Sequence, residues 1–550
     1  MSAPSSPAPA DPPPASGPSA DAWGAAWEPA AGPAGPAGPA AGPAWGPGKP
    51  APEGFPWLRP SDPGGKATAS LWVVGAALFT GFLTAWLLGD GLGVGLSVCG
   101  VAAATVAGLA ARAAGRRVRP WTVVLSVLAL ALLVVPALWE AGWPVAIAVV
   151  GALALASLAL HGGRRWPGVL LALPGVLWQF GPGVLWAAKG LSGHRLRGRG
   201  RIVPVLKALA VAAVLLVVFG WLFSGADAAM ADVLGSLNPS VDLDRLPWRV
   251  VLFAVGLLTA LGFAHIAAGP RRWDRTVVRP GRARGRLEWA LPLVALDLMF
   301  AVFAVIQAVV VLGGADAVLR NTGMSRSEYA RQGFWQLSVI TVLTLVVVAV
   351  AQRWAPRTTP ADRRLARILL GVLCVLALTV VASALGRMWF YVDASGLTRL
   401  RLWVLVVEIW LGGVFALVIA AGLTRSAGWL PRAVVLSGAL AAVVYGLMGP
   451  DAIVAEQNVA RYERTGRIDL RNVRDLSPDA VPALDRLPPA PRACALQLIR
   501  ADLGNRAEPW YAASLSSARA RDILAARPLM DVSRGPSACE QAGLTIGVHR

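Results

Sequence analysis

The chain has 550 residues; 56% belong to the Ala, Val, Ile, Leu, Met, Phe, Trp, Tyr and Cys set, 59 more are glycine, and only 15% are charged. Soluble domains carry about 25% charged residues and about 45–50% apolar ones with glycine counted, so a string of soluble domains is excluded. The 51 Lys and Arg against 31 Asp and Glu leave a formal charge of +20, which in a soluble protein would point to nucleic acid and here must first be set against a membrane topology.

Residues 1–66 are dominated by Pro, Ala and Gly, as in Pro12-Pro13-Pro14 and the repeated Gly-Pro-Ala of 32–40, with Trp23, Trp27, Trp45 and Trp57 interspersed. Too few branched apolar side chains occur to offset ordering entropy, so a disordered tail is expected. No basic stretch followed by an apolar run opens the chain, so the first apolar run, near residue 71, is expected to direct insertion.

A helix needs about 20 apolar residues to cross about 30 Å of hydrocarbon. Runs of that kind fall near 70–88, 92–111, 121–139, 143–160, 203–223, 248–268, 289–312, 333–351, 368–386, 402–423 and 433–449. The fold class expected is therefore all-α, a polytopic membrane protein of about eleven spans. Trp at the span ends fits the interfacial preference of that ring. Gly168–Ala188 is also apolar, but Pro174, Gly175, Pro182 and Gly183 interrupt it and arginines flank both sides. Two breaks in helical bonding and basic flanks predict a re-entrant or interfacial segment.

Loop charge sets the expected orientation. The connections after the even-numbered spans, with the run after the re-entrant segment, hold 25 Lys and Arg; the opposite connections hold 7. Short cytoplasmic loops retain such residues, so the tail is expected in the cytoplasm and the C-terminus outside. The basic excess then marks a face that meets anionic lipids, and no nucleic-acid partner is implied.

Four parts follow: the tail of 1–66, four spans plus the interrupted segment over 67–201, a seven-span core over 202–449, and a helical extracytoplasmic domain over 450–550. In the last, helical spacing appears in Asp451–Arg464, Pro491–Leu503 and Ser514–Arg527. It also holds Cys494 and Cys539, which an oxidising compartment would allow to bridge, against two unrelated thiols.

Two stretches stand out beyond composition. Asn321–Leu337 contains Ser325-Arg-Ser-Glu328, which fits a capping box, with Tyr329 following on an interfacial helix. Arg387–Arg401 reads as an outer loop carrying Tyr391, Asp393, Arg399 and Arg401. Together with Asn458-Val-Ala-Arg-Tyr462 and Leu476-Ser-Pro-Asp-Ala-Val-Pro-Ala-Leu484, they resemble a multi-pass membrane family catalogued as a domain of unknown function (DUF 4173), over about residues 200–490. That resemblance implies a bacterial inner-membrane protein, with no activity, cofactor or catalytic residue to carry over.

Ionisable groups inside spans are functional candidates because hydrocarbon penalises them by at least about 2.5–3.5 kcal/mol. Asp297 lies in the seventh span, with Gln307 ten residues on; Glu408 lies in the tenth, at a depth where Arg387 or Arg401 is expected to pair with it. His161, His194, His265 and His549 are scattered, so no metal is implied. No phosphate-cradling loop or nucleophile elbow occurs. Three readings remain open: a scaffold or envelope-signalling accessory whose outer domain binds a protein partner, a transporter or lipid flippase using Asp297, and a membrane transferase using Asp90 or Glu140.

Overall fold

The computed structural model describes residues 69–193 except 173, 245–313 except 271, 272 and 276–284, 334–504 except 355–358 and 425–426, and 509–529. All regular structure among them is helical, and the chain from Trp57 onward forms one compact unit. The sequence expectations at 1–66, 203–223, Ser325, Glu328, Tyr329 and Cys539 fall outside the described residues.

The first lobe is built from α1 (Leu71–Leu87), α2 (Gly93–Ala113), α3 (Pro120–Leu133), α4 (Val135–Leu138), α5 (Gly142–His161), α6 (Trp166–Ala172), α7 (Phe180–Gly193) and α8 (Leu246–Ala268). The second holds α9 (Arg286–Gly313), α10 (Phe334–Trp354), α11 (Pro360–Ser395) and α12 (Arg399–Leu423), and α13 (Leu430–Leu447) packs between α12 and helices α3 and α5. Local sequence sets the helix limits. Ser70 accepts from the Val73 amide at 3.4 Å to start α1, and Thr359 accepts from the Asp362 amide at 3.1 Å to start α11; each satisfies a donor that the first turn leaves open.

Nine helices among the described residues are long and apolar enough to cross a membrane, all at positions where runs are read from sequence. The multi-pass membrane character follows from them. The run near residue 70 forms α1, which is apolar but only 17 residues long. One expectation is corrected. Arg387–Arg401 is not a loop: α11 continues to Ser395, and only Gly396, at φ +82°, turns the chain before α12. Nothing between Arg387 and Ser395 breaks a helix, and the polar residues there only signal that the helix has left the hydrocarbon.

Small residues allow α1 and α8 to cross closely. At Gly256 of α8, an added Cβ would lie 2.3 Å from Thr84 Oγ1 and 3.2 Å from the Gly81 Cα of α1, the close approach that small residues allow in membrane helix pairs. Gly256→Ala is expected to cost about 1–3 kcal/mol through overpacking. Thermal unfolding in detergent checks it, and an unchanged midpoint would reject the close approach.

Contacts sort the helix ends into two sets. At one end, Asp90 bonds Arg245, Glu140 meets Asp479, and Arg399 meets Asp451. At the other, Arg116 Nε donates to the Ala268 carbonyl at 2.6 Å, the Arg164 and Arg165 amides donate to Asp274, and Arg286 pairs with Asp362. Arg165 and Arg245 lie at opposite ends of the bundle. Between them in sequence, the pieces Trp166–Ala172 and Leu177–Leu191 are bent by 64°. Their start lies by Asp274, their middle against His161 and Leu261, and Gly190 packs on Ala69, ahead of α1. Gly168 and Gly190, near the two ends of this bent pair, thus pack against Asp274 and against Ala69 at the start of α1.

The C-terminal helices are α14 (Pro450–Thr465), α15 (Leu470–Val473), α16 (Val481–Leu484), α17 (Pro489–Gly504) and α18 (Leu515–Ala526). Gly449 and Gly466, at φ +65° and +67°, bracket α14. The three segments with helical spacing fall on α14, α17 and α18. Their core, centred on Val454, Leu484 and Leu496, runs on into Leu397, Leu402 and Tyr445 at the ends of the spans. The cap and the membrane helices thus share one apolar core.

Candidate functional site

Cap and spans are held together by buried polar contacts. Asp451, fully buried at the first turn of α14, accepts from Arg399 Nε at 2.7 Å and pairs also with Arg399 Nη2. It accepts from the Ser477 amide at 2.8 Å as well. A bidentate guanidinium and a backbone donor satisfy a carboxylate that burial would otherwise penalise heavily. Asn458 Nδ2, one helical face further along, donates to the Leu397 carbonyl at 2.8 Å in the turn between α11 and α12. Arg461 Nε reaches the Asp393 carbonyl at 3.1 Å, and Arg401 lies 3.8 Å over the Tyr391 ring while bonding the Gly396 carbonyl.

On the far side of the cap, Asp479 is almost fully buried. Its Oδ1 accepts from the Glu140 amide at 3.0 Å and the Ser516 hydroxyl at 2.6 Å, and its Oδ2 from the Ala141 amide at 3.3 Å. Burial pushes its carboxyl above the usual carboxylate range, against the opposing pull of those donors. The third contact is Tyr511, whose hydroxyl donates to Asp90 at 2.9 Å, where Arg245 and Arg249 also converge. The Gly93 and Gly95 amides donate to the carbonyls of Ala512 and Tyr511. Asp90 and Glu140, read from sequence as acid candidates, are thus parts of the cap contact.

The intramembrane residues fall elsewhere. Asp297 on α9 is buried, and among the described residues neither of its oxygens accepts a hydrogen bond. Gln307 on the same helix accepts from the Ser383 hydroxyl of α11 at 2.9 Å. Glu408 on α12 is buried, with the Ser338 side chain of α10 approaching it. Of the two arginines expected beside Glu408, Arg401 turns instead to Tyr391 and Gly396, and its neighbour Arg399 turns outward to Asp451. Both arginines lie in the first turn of α12, more than one turn from Glu408, and find carbonyl and carboxylate partners in the cap interface. Arg387 is half-buried on α11. Cys494 is disulfide-bonded, while Cys99 and Cys374 are free and buried. No group of His, Cys, Asp or Glu poised for a metal ion occurs among the described residues.

Residues missed by sequence reasoning are Asp451 and Ser516 as cap contacts and Asp479 as their hub. The signal for Asp479 was the Ser-Pro-Asp turn within Leu476–Leu484, and Asp451 follows Gly449-Pro450 at a helix start. Three of the four stretches behind the family resemblance, namely 387–401, 458–462 and 476–484, converge on this one interface.

Comparisons with curated proteins and with solved structures each give no match. A family model does match, described as "Domain of unknown function (DUF4153)", over residues 126–487. It is a differently numbered family from the one the sequence resembles, and it reaches back into α3 and α5. It takes in Arg399, Asp451, Asn458 and Asp479 and ends before Tyr511 and Ser516. With about two-thirds of its length matched, the chain belongs to the DUF4153 family.

Proposed function

We propose that this protein is a membrane scaffold of the bacterial cell membrane, an envelope-signalling accessory whose outer cap presents a fixed surface to a protein partner. The observation that carries this reading is the fastening of the cap to three separate chain turns, at residues 90–95, 140–141 and 396–401, through buried and part-buried polar groups. Contacts of that kind hold a platform in place; they give no room for a mobile domain. Eleven crossings, the number of apolar runs in the sequence, agree with the positions of Arg165 and Arg245 at opposite ends of the bundle. The excess of Lys and Arg in the connections of one side, 25 against 7, supports a cytoplasmic location for the end that holds Asp274, with the cap outside, and the disulfide at Cys494 fits an oxidising compartment there.

A second reading, a transporter or lipid flippase, is favoured by Asp297, a buried carboxylate without a hydrogen-bond donor inside the spans. One experiment separates them. Photo-crosslinking side chains placed at Trp510 and Leu515, both exposed on the cap, and at Leu291 and Val302, exposed on α9, are introduced into the full chain in cells. The scaffold reading expects one discrete protein adduct from the cap positions, retained in Asp297→Asn, and none from α9. Adducts from α9 alone, or loss of the cap adduct in Asp297→Asn, would overturn it.

A further inference from the structure

At the end of the bundle opposite the cap, Arg164, Arg165, Asp274, Gly428 and Arg432 line an open cleft of about 600 Å³. These residues come from three separate places in the chain: the α5 to α6 connection, the turn after α8, and the start of α13 with the residue Gly428 before it. The three guanidinium groups form no ion pair among the described residues. The one acid present is already engaged, since Asp274 Oδ1 accepts from the Arg164 and Arg165 amides at 2.8 and 2.9 Å. Three positive charges and one negative charge leave the cleft with an excess of two positive charges. Planar guanidinium forks match phosphate oxygens, and like charges held together without a counter-ion repel one another unless an anion joins them.

The level of the cleft is marked independently. Two of the walls are followed in sequence by a tryptophan with surface exposure: Arg165 by Trp166 and Gly428 by Trp429. Trp gathers where hydrocarbon meets headgroups, so the cleft opens where lipid phosphates lie. The geometry points to a binding site for a phosphate-bearing anion, held by Arg164, Arg165 and Arg432 at the headgroup level of the non-cap end. The inference stands on the cleft alone and does not require the scaffold reading.

The test uses the full chain purified in detergent, with native mass spectrometry and thermal unfolding as readouts. The probes are phosphatidylglycerol, phosphatidylcholine and inorganic pyrophosphate. Wild-type protein is expected to retain phosphatidylglycerol over phosphatidylcholine and to unfold at a higher temperature with it. Arg164→Gln and Arg432→Gln should each weaken retention about fivefold, the loss of one basic contact near a membrane surface. Arg117→Gln, exposed at the same end outside the cleft, should leave it unchanged and serves as the folding control. Stabilisation by pyrophosphate without lipid, lost in the same two variants, would keep the site and assign it to a soluble phosphate. No preference for either phosphate source, or an equal loss in Arg117→Gln, would overturn the site.

Discussion

Arg399→Ala is expected to lower stability by about 3–5 kcal/mol, the usual cost of removing one partner from a buried ion pair. The cost falls on what remains. Asp451 has no exposure to solvent, and without Arg399 its charge keeps only the Ser477 amide as a donor. Arg399 itself is more than a third exposed, so the loss arises from the stranded carboxylate and hardly from the missing cation. The double variant Arg399→Gln with Asp451→Asn removes both charges and should recover much of the loss. Chemical unfolding in detergent measures both, and limited proteolysis of the cap reports where the damage lies. A cost below about 1 kcal/mol for Arg399→Ala, typical of a surface pair, would show that the pair does not fasten the cap.

Asp479→Ala should cost about 3 kcal/mol, because it leaves the Glu140 and Ala141 amides and the Ser516 hydroxyl buried without an acceptor. The same residue carries a pH dependence of definite sign. Burial raises its carboxyl in the folded protein, so the fold binds that proton more tightly than the unfolded chain does. Its contribution to stability is complete below the ordinary carboxylate range and is lost as pH rises through the raised folded value. Unfolding midpoints for wild type and Asp479→Asn, taken across the acidic range, should therefore differ by an amount that drifts against the wild type as pH increases. A constant difference would mean that the three donors cancel burial, and a drift in favour of the wild type that they outweigh it.

Much of the membrane architecture was legible because each span writes itself as a continuous apolar run, a local signal that needs no knowledge of the fold. The break near Pro174 was legible for the same reason, since that residue acts on its own turn, whereas the second break expected at Pro182 does not occur: Pro182 lies in the first turn of α7, where its ring is tolerated. The boundary at 387–395 was not: a helix that leaves the hydrocarbon becomes polar without ceasing to be a helix, and only Gly396 marks its true end. The partners of Asp90, Glu140 and Asp451 were illegible for another reason. Nothing near Asp90 announces that its acceptor oxygen serves Tyr511, which lies 421 residues on. Asp297 was the opposite case: it had no evident partner in sequence and accepts no hydrogen bond among the described residues.

That separation has a consequence for how the molecule is made. Membrane insertion runs from the N-terminus, so Asp90 and the 139–141 turn emerge early and wait for donors and acceptors that the ribosome has not yet produced. The cap closes only when the last helices arrive, and it closes only if every earlier hairpin has been threaded the right way round, since one inverted pair would carry a latch residue to the wrong side of the bilayer. Fastening of the cap is thus coupled to the threading of the hairpins that precede it.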